Sequence, residues 1–130
     1  MTDANQDQDG VHAYSGLDRV FHEKARLAIM TSLASQPDGL SFADLKRLCD
    51  LSDGNLNRHL EVLQEGGAVK LERIGAGRGS RTTIRITSLG RREFQRYLGE
   101  LERVLQQAVK AMQKTNAQKS TKRRIGLSDA

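Results

Sequence analysis

The chain has 130 residues, 37% hydrophobic and 28% charged, with 21 Lys and Arg against 16 Asp and Glu and a pI near 9.7, which leaves room for one domain with a modest core. It holds no apolar run near the roughly 18 residues a membrane span needs, and its polar, acidic start, Met1 to Gly10, does not read as a secretory signal. A single cysteine, Cys49, excludes an internal disulfide and a Cys-rich zinc site, and predicts a reducing, cytoplasmic setting. The net charge of +5 permits a polyanionic partner without demanding one.

The position of the charge says more. Residues 1–17 carry −3 (Asp3, Asp7, Asp9) and residues 115–130 carry +3, so the whole +5 resides in 18–114. Both ends are poor in large apolar side chains and predict disorder: an acidic tail over 1–16, a domain over 17–114, and a basic tail over 115–130. The run Lys119-Ser120-Thr121-Lys122-Arg123-Arg124 reads as a solvated end, with phosphate contact as the alternative.

In chain order, Val20, Phe21, Leu27, Met30, Leu33 and Ala34 recur near helical spacing and predict a first helix over 18–34. Pro37-Asp38-Gly39 turns the chain. Ser41 then reads as an N-cap, with Asp44 completing a capping box, and opens a short helix burying Leu45, Leu48 and Cys49. After a turn at Leu51, Ser52 is a second N-cap. The third helix, about Asp53 to Glu65, sets Leu56, Leu60 and Leu63 on one face and Arg58, Gly54, Asn55, Asn57 and Val62 opposite. Gly66-Gly67 ends it.

A period of two follows, with Val69, Leu71 and Arg73 on one side and Lys70, Glu72 and Ile74 on the other, and again over 83–87. The stretch 75–81 between them predicts a long, mobile, basic hairpin tip; from Lys70 to Arg85 the net charge is +4. Thr87 caps a last helix over about 88–114. There Phe94, Leu98, Leu101, Leu105, Ala108 and Met112 step by four and three as a heptad seam, widened by Tyr97, Val104 and Val109. That stripe is longer than a hairpin and three short helices can cover, which predicts a two-fold homodimer.

Two short helices joined by a tight turn, followed by a basic hairpin, predict a mainly α (α+β) winged helix-turn-helix: a three-helix core, a two-stranded wing and a long C-terminal dimerisation helix. A helix fits the major groove and presents polar side chains to base edges. The candidates there are Ser52, Gly54, Asn55, Asn57, Arg58 and His59. Asparagine suits adenine and arginine pairs bidentately with guanine. Glu61 and Glu65 near the same face confine groove contact to the first two turns. Arg73, Arg78, Ser80 and Arg81 on the wing, with Lys46 and Arg47 on the preceding helix, are candidates for backbone or minor-groove contact. The opposing reading makes these side chains the solvated face of an amphipathic helix and an unliganded loop.

The residues also resemble a family. Leu17-Asp18-Arg19-Val20-Phe21-His22 with Arg26-Leu27-Ala28-Ile29-Met30, then Leu40 to Leu45, Leu51 to Leu60, Gly67-Ala68-Val69 and Ile86 to Arg91, resemble the small bacterial winged-helix transcriptional regulators related to MarR and ArsR proteins. The resemblance covers about 17–105. It implies a homodimeric regulator of double-stranded DNA with Ser52 to His59 in the major groove and the 75–81 wing beside it. The chain departs from the pattern at Gly66 and Ala68, which implies a looser start to the first wing strand.

Other patterns are weaker. Gly75-x-Gly77-x-Gly79 joins two strands and lacks the context of a dinucleotide-binding loop. His12, His22, His59 and Cys49 have no paired-ligand spacing, and Cys49 reads as a packed structural thiol. No nucleophile–base–orienter set can be assembled, so neither enzyme chemistry nor a cofactor is implied. The remaining alternatives are a winged-helix protein-interaction adaptor and a redox- or metal-responsive DNA-binding sensor.

Overall fold

The computed structural model describes residues 18–124, with side chains to Lys119; the expected acidic tail over 1–16 and residues 125–130 lie outside this range. Within it, Asp18 sets the first turn, its Oδ1 accepting from Val20 N at 2.9 Å and its carbonyl from the amides of Phe21 and His22. Aspartate competes for backbone donors in this way and so favours turns over helix interiors. The chain stays extended at Glu23, whose Oε1 accepts from Arg26 N at 3.0 Å as the N-cap of α1, Lys24–Ala34. The helix therefore starts later than Asp18, and Phe21 reaches the core from the preceding turn. The inward face of α1 is Ile29, Met30 and Leu33, with Leu27 half-buried at its edge.

After a turn at Gln36 to Gly39, two residues form a short strand β1, Leu40–Ser41. Its length left no period in the sequence. Ser41 then caps α2, Phe42–Cys49, its Oγ accepting from Asp44 N at 3.0 Å. Leu45 is fully buried, but Leu48 is 54% exposed and Cys49 only partly covered. The expected burial of Leu48 is thus corrected. An eight-residue helix turns only one narrow stripe inward, and Leu45 occupies it.

Helix α3, Asp53–Glu65, buries Leu56, Leu60 and Leu63. It ends in a Schellman arrangement: Gly67 N donates to Gln64 O, Ala68 N donates to Leu63 O, and Gly67 adopts φ +78°. Strand β2, Val69–Ile74, and strand β3, Arg81–Ile86, pair antiparallel from Val69↔Ile86 to Ile74↔Arg81. Strand β1 adds to the far edge of β3 through Leu40↔Ile84, so the sheet has three strands in the order β1-β3-β2, not the two of a simple wing.

Thr87 Oγ1 accepts from Gly90 N at 2.8 Å and donates to Gly67 O at 2.6 Å, joining the end of α3 to the start of α4, Ser88–Arg124. Gly90 faces Ala68 so closely that a methyl group on it would overlap the Ala68 carbonyl oxygen. Ala68 is itself buried. The first wing strand therefore starts tightly, where its small residues had implied a loose start: the space is filled by helix backbone.

Helix α4 continues past Met112, so residues 115–124 are helical and not the structureless tail expected from their composition. Lys, Gln, Ala and Arg are good helix formers, and the stretch has no Gly or Pro to stop the helix. Two compact units result, one ending at Tyr97 and one beginning at Leu98. The first contains the core: Phe21, Ile29, Met30, Leu33, Leu45, Leu56, Leu60, Leu63, Ile84, Phe94 and Tyr97 are each 3% exposed or less.

Candidate nucleic-acid interface

The link from α2 to α3 is built from three local devices. Asp50 closes α2 in the left-handed region at φ 55°, and Leu51 N returns to Lys46 O at 3.1 Å. Ser52 caps α3, its Oγ accepting from Asn55 N at 3.1 Å. Lys46 Nζ lies 2.8 Å from Asp53 Oδ1, bridging the two helices across the turn.

The buried leucines of α3 leave Gly54, Asn55, Asn57 and Arg58 exposed on its outer side. Within that set Arg58 Nη2 donates to Asn55 Oδ1 at 2.7 Å. The asparagine carbonyl thereby holds one edge of the guanidinium while the rest stays open. Ser52 is exposed too, with its hydroxyl committed to the cap.

His59 is placed differently from the other candidates. Its side chain is only 13% exposed and turned toward α1, where Arg26 Nη1 donates to its Nδ1 at 3.1 Å and Glu23 Oε1 lies 3.9 Å away. Arg26 Nε also donates to Val20 O at 2.7 Å. The Glu23 carboxyl is held below the usual carboxylate range, chiefly by the backbone N–H of Arg26, with burial opposing and the Arg26 charge assisting. His59 is therefore a packing residue that ties α3 to α1, and its expected place on the groove-facing side is corrected. The cause is angular: one position past Arg58, it lies at the flank of the leucine stripe.

On the wing, 75–80 is shorter than the expected loop because β3 already includes Arg81, and it contains a single 3-10 turn at Gly77–Gly79. Ser80 organises it, its Oγ donating to Gly77 O at 3.0 Å and accepting from Arg73 Nη2 at 2.9 Å. Arg73 thus braces the tip. Arg85 lies 3.1 Å from Glu72, which also meets Lys70 at 3.5 Å. Arg78 and Arg81 are exposed and enter no ion pair among the described residues. Lys46 and Arg47 sit in exposed pairs with Asp53 and Asp44. Such pairs are worth at most about 1 kcal/mol and are readily exchanged for a phosphate.

The expected seam of α4 divides. Phe94 is buried in its own chain, packed edge-on against Phe21 with ring centroids 5.4 Å apart, and Tyr97 joins them and hydrogen-bonds His22 Nδ1 at 2.8 Å. Phe94 is thereby removed from the set free to meet a partner. Leu98, Leu105, Ala108, Val109 and Met112 are exposed and Leu101 is half-buried.

The Arg26–His59 and His22–Tyr97 contacts had no sequence signal, because their partners lie 33 and 75 positions apart. The Asn55–Arg58 contact did have one in its spacing of three on a helix. Among the described residues no three His, Cys, Asp or Glu side chains gather as a metal site, and no helix is long and apolar enough to cross a membrane.

Residues 25–105 match the family model of a winged helix DNA-binding domain. An uncharacterised protein of Methanocaldococcus jannaschii is 33% identical over 86 residues, which span 64% of this chain and 89% of that one. A transcriptional regulator homologue from Pyrococcus horikoshii OT3 is similar in structure, with a TM-score of 0.65 and 32% identity over 70% of this chain and 89% of its own. The YusO protein of Bacillus subtilis shares the fold at 11% identity, with a TM-score of 0.63 over 90% of this chain and 82% of that one. Helix-turn-helix, three-stranded sheet and wing all fall within the matched span, and the chain belongs to the winged helix DNA-binding domain family.

Proposed function

We propose that the chain is a sequence-specific transcriptional regulator that binds a palindromic site in duplex DNA as a homodimer. The observation that carries this reading is the outer side of α3. Gly54, Asn55, Asn57 and Arg58 stand exposed together opposite three fully packed leucines, and small and polar groups on a rigid helix are what base-edge readout requires. Ser52 begins this surface. The exposed cations Arg78 and Arg81 suit the phosphate backbone or the minor groove beside it. Leu98, Leu101, Leu105, Ala108 and Met112 form the subunit contact in this reading, because an exposed heptad stripe is stabilised by a second copy of itself.

Selection from a random duplex library with the full chain, followed by anisotropy titration of the winner against scrambled duplex, tests the proposal. Enrichment of an inverted repeat with half-sites about one helical turn apart is the expected result. Equal affinity for the selected and scrambled duplexes would remove sequence-specific regulation, and no binding above background would favour a protein-interaction module.

A further inference from the structure

Past Met112, α4 changes character without ending. Residues 88–103 hold four basic and three acidic side chains, whereas 104–124 hold six basic and none acidic. Within 113–124 the only apolar side chain is Ala117. Residues 105–119 are exposed throughout, so this part of the helix is not held by burial.

Three kinds of occupant can be compared with that surface. A second copy would extend the heptad seam, but the positions after Met112 are Thr115 and Lys119; in a parallel two-fold pair Lys119 meets its own copy, and in an antiparallel one it meets residues 88–103, whose net charge is +1, so neither arrangement neutralises it. A lipid surface or an apolar protein groove needs an apolar face with cations confined to the other side. Here, at 3.6 residues per turn, Lys114 stands about 180° from Leu105 while Lys119 is only about 40° from it. Cations therefore occupy opposite sides of the helix, and no apolar face remains beyond Met112. Lys110, Lys114 and Lys119 enter no ion pair among the described residues. What fits a helix charged on several sides, without acid and without an apolar face, is an extended polyanion.

Resting on the DNA-binding reading above, we propose that the end of α4, from Lys110 onward, is a second DNA contact, an arm that runs along the phosphate backbone outside the base-read site. From Lys110 to Arg124 the helix spans about 22 Å, comparable to about six or seven base pairs at 3.4 Å each. Its contribution is independent of sequence: it raises affinity and lengthens the footprint without altering which bases are preferred.

The test uses the full chain and a triple variant, Lys110→Gln, Lys114→Gln and Lys119→Gln, which keeps the apolar stripe and the helix propensity. Each is titrated, over a salt series, against a duplex just covering the selected site and against one extended by about ten base pairs of arbitrary sequence on each side. The wild-type chain should bind the extended duplex about tenfold more tightly and with a steeper salt slope, each additional phosphate neutralised adding about 0.9 to that slope. The variant should bind both duplexes alike, at the affinity wild type shows for the short one, and should sediment as wild type does. Tight binding by wild type with no dependence on duplex length would overturn the arm alone. A variant that keeps the length gain, or that changes oligomeric state, would also overturn it, the latter assigning these lysines to the subunit contact. Failure of the wild-type chain to bind any duplex would overturn both readings together, and a variant that binds neither duplex while wild type binds both would overturn the arm alone.

Discussion

Arg26, on α1, donates through Nη1 to Nδ1 of His59 at 3.1 Å and through Nε to the Val20 carbonyl at 2.7 Å. One guanidinium thus fastens α3 and the turn before α1 to the same point. Both acceptors are part-buried, so removing the donor leaves them without a partner. Arg26→Met, which keeps the apolar stem, should lower stability by about 1–3 kcal/mol. Urea unfolding reads this directly, and an unchanged midpoint would mean that the contact contributes nothing to holding α3 in place.

Glu23 supplies the α1 cap beside this contact, and its pH dependence has a definite sign. Its carboxyl titrates below its ordinary value of 4.5 in the folded chain. The stabilisation is therefore present above that value and is lost as pH falls through the lower, folded pKa. Glu23→Ala should cost about 1 kcal/mol at neutral pH, the usual magnitude for a missing N-cap. The difference from wild type should shrink below pH 4.5. Thermal unfolding of both proteins across pH 3 to 7 checks it; a constant gap would show that the carboxylate charge plays no part.

On the outer side of α3, Arg58→Ala should weaken binding to the selected duplex by about 1–3 kcal/mol while leaving scrambled duplex nearly unaffected. Arg78→Gln with Arg81→Gln should instead weaken both alike and flatten the salt dependence, by about 0.9 in slope for each phosphate that is no longer neutralised. Anisotropy titrations on the two duplexes separate these behaviours. Equal losses for Arg58→Ala on every sequence would make Arg58 a phosphate contact only.

Gly90 offers a test of the fold. A Cβ there would overlap the Ala68 carbonyl oxygen, which is backbone and cannot swing aside. Although alanine is the better helix former by about 1 kcal/mol, Gly90→Ala should destabilise the chain by about 3 kcal/mol or more through overpacking and the backbone shift it forces. Circular dichroism melting would decide between the two effects, and a raised Tm would show that α4 can move away from β2 freely.

The sequence by itself determined the local elements and the polarity of their faces. Ser41 and Ser52 as caps, the Leu56-Leu60-Leu63 stripe, the glycine end of α3 and the β2 alternation all rest on interactions within a few residues, which spacing exposes. The winged-helix architecture followed from their order, and the outward position of Asn55, Asn57 and Arg58 followed from helical period. Tertiary structure decided what period cannot specify: which flank of a stripe meets a neighbour. His59 went to Arg26, Phe94 and Tyr97 went to Phe21, Leu48 was left outside, and a two-residue strand found its partner in β3. Each outcome depends on groups far apart in the chain and on the space left when the core closes. The charge shows the same division. The count of +5 and its absence from the two ends as a sum were legible in composition. That Arg78 and Arg81 on the wing stay without an ion pair among the described residues, while Arg85 and Lys46 do not, was settled only when folding brought Glu72 beside Arg85 and Asp53 beside Lys46.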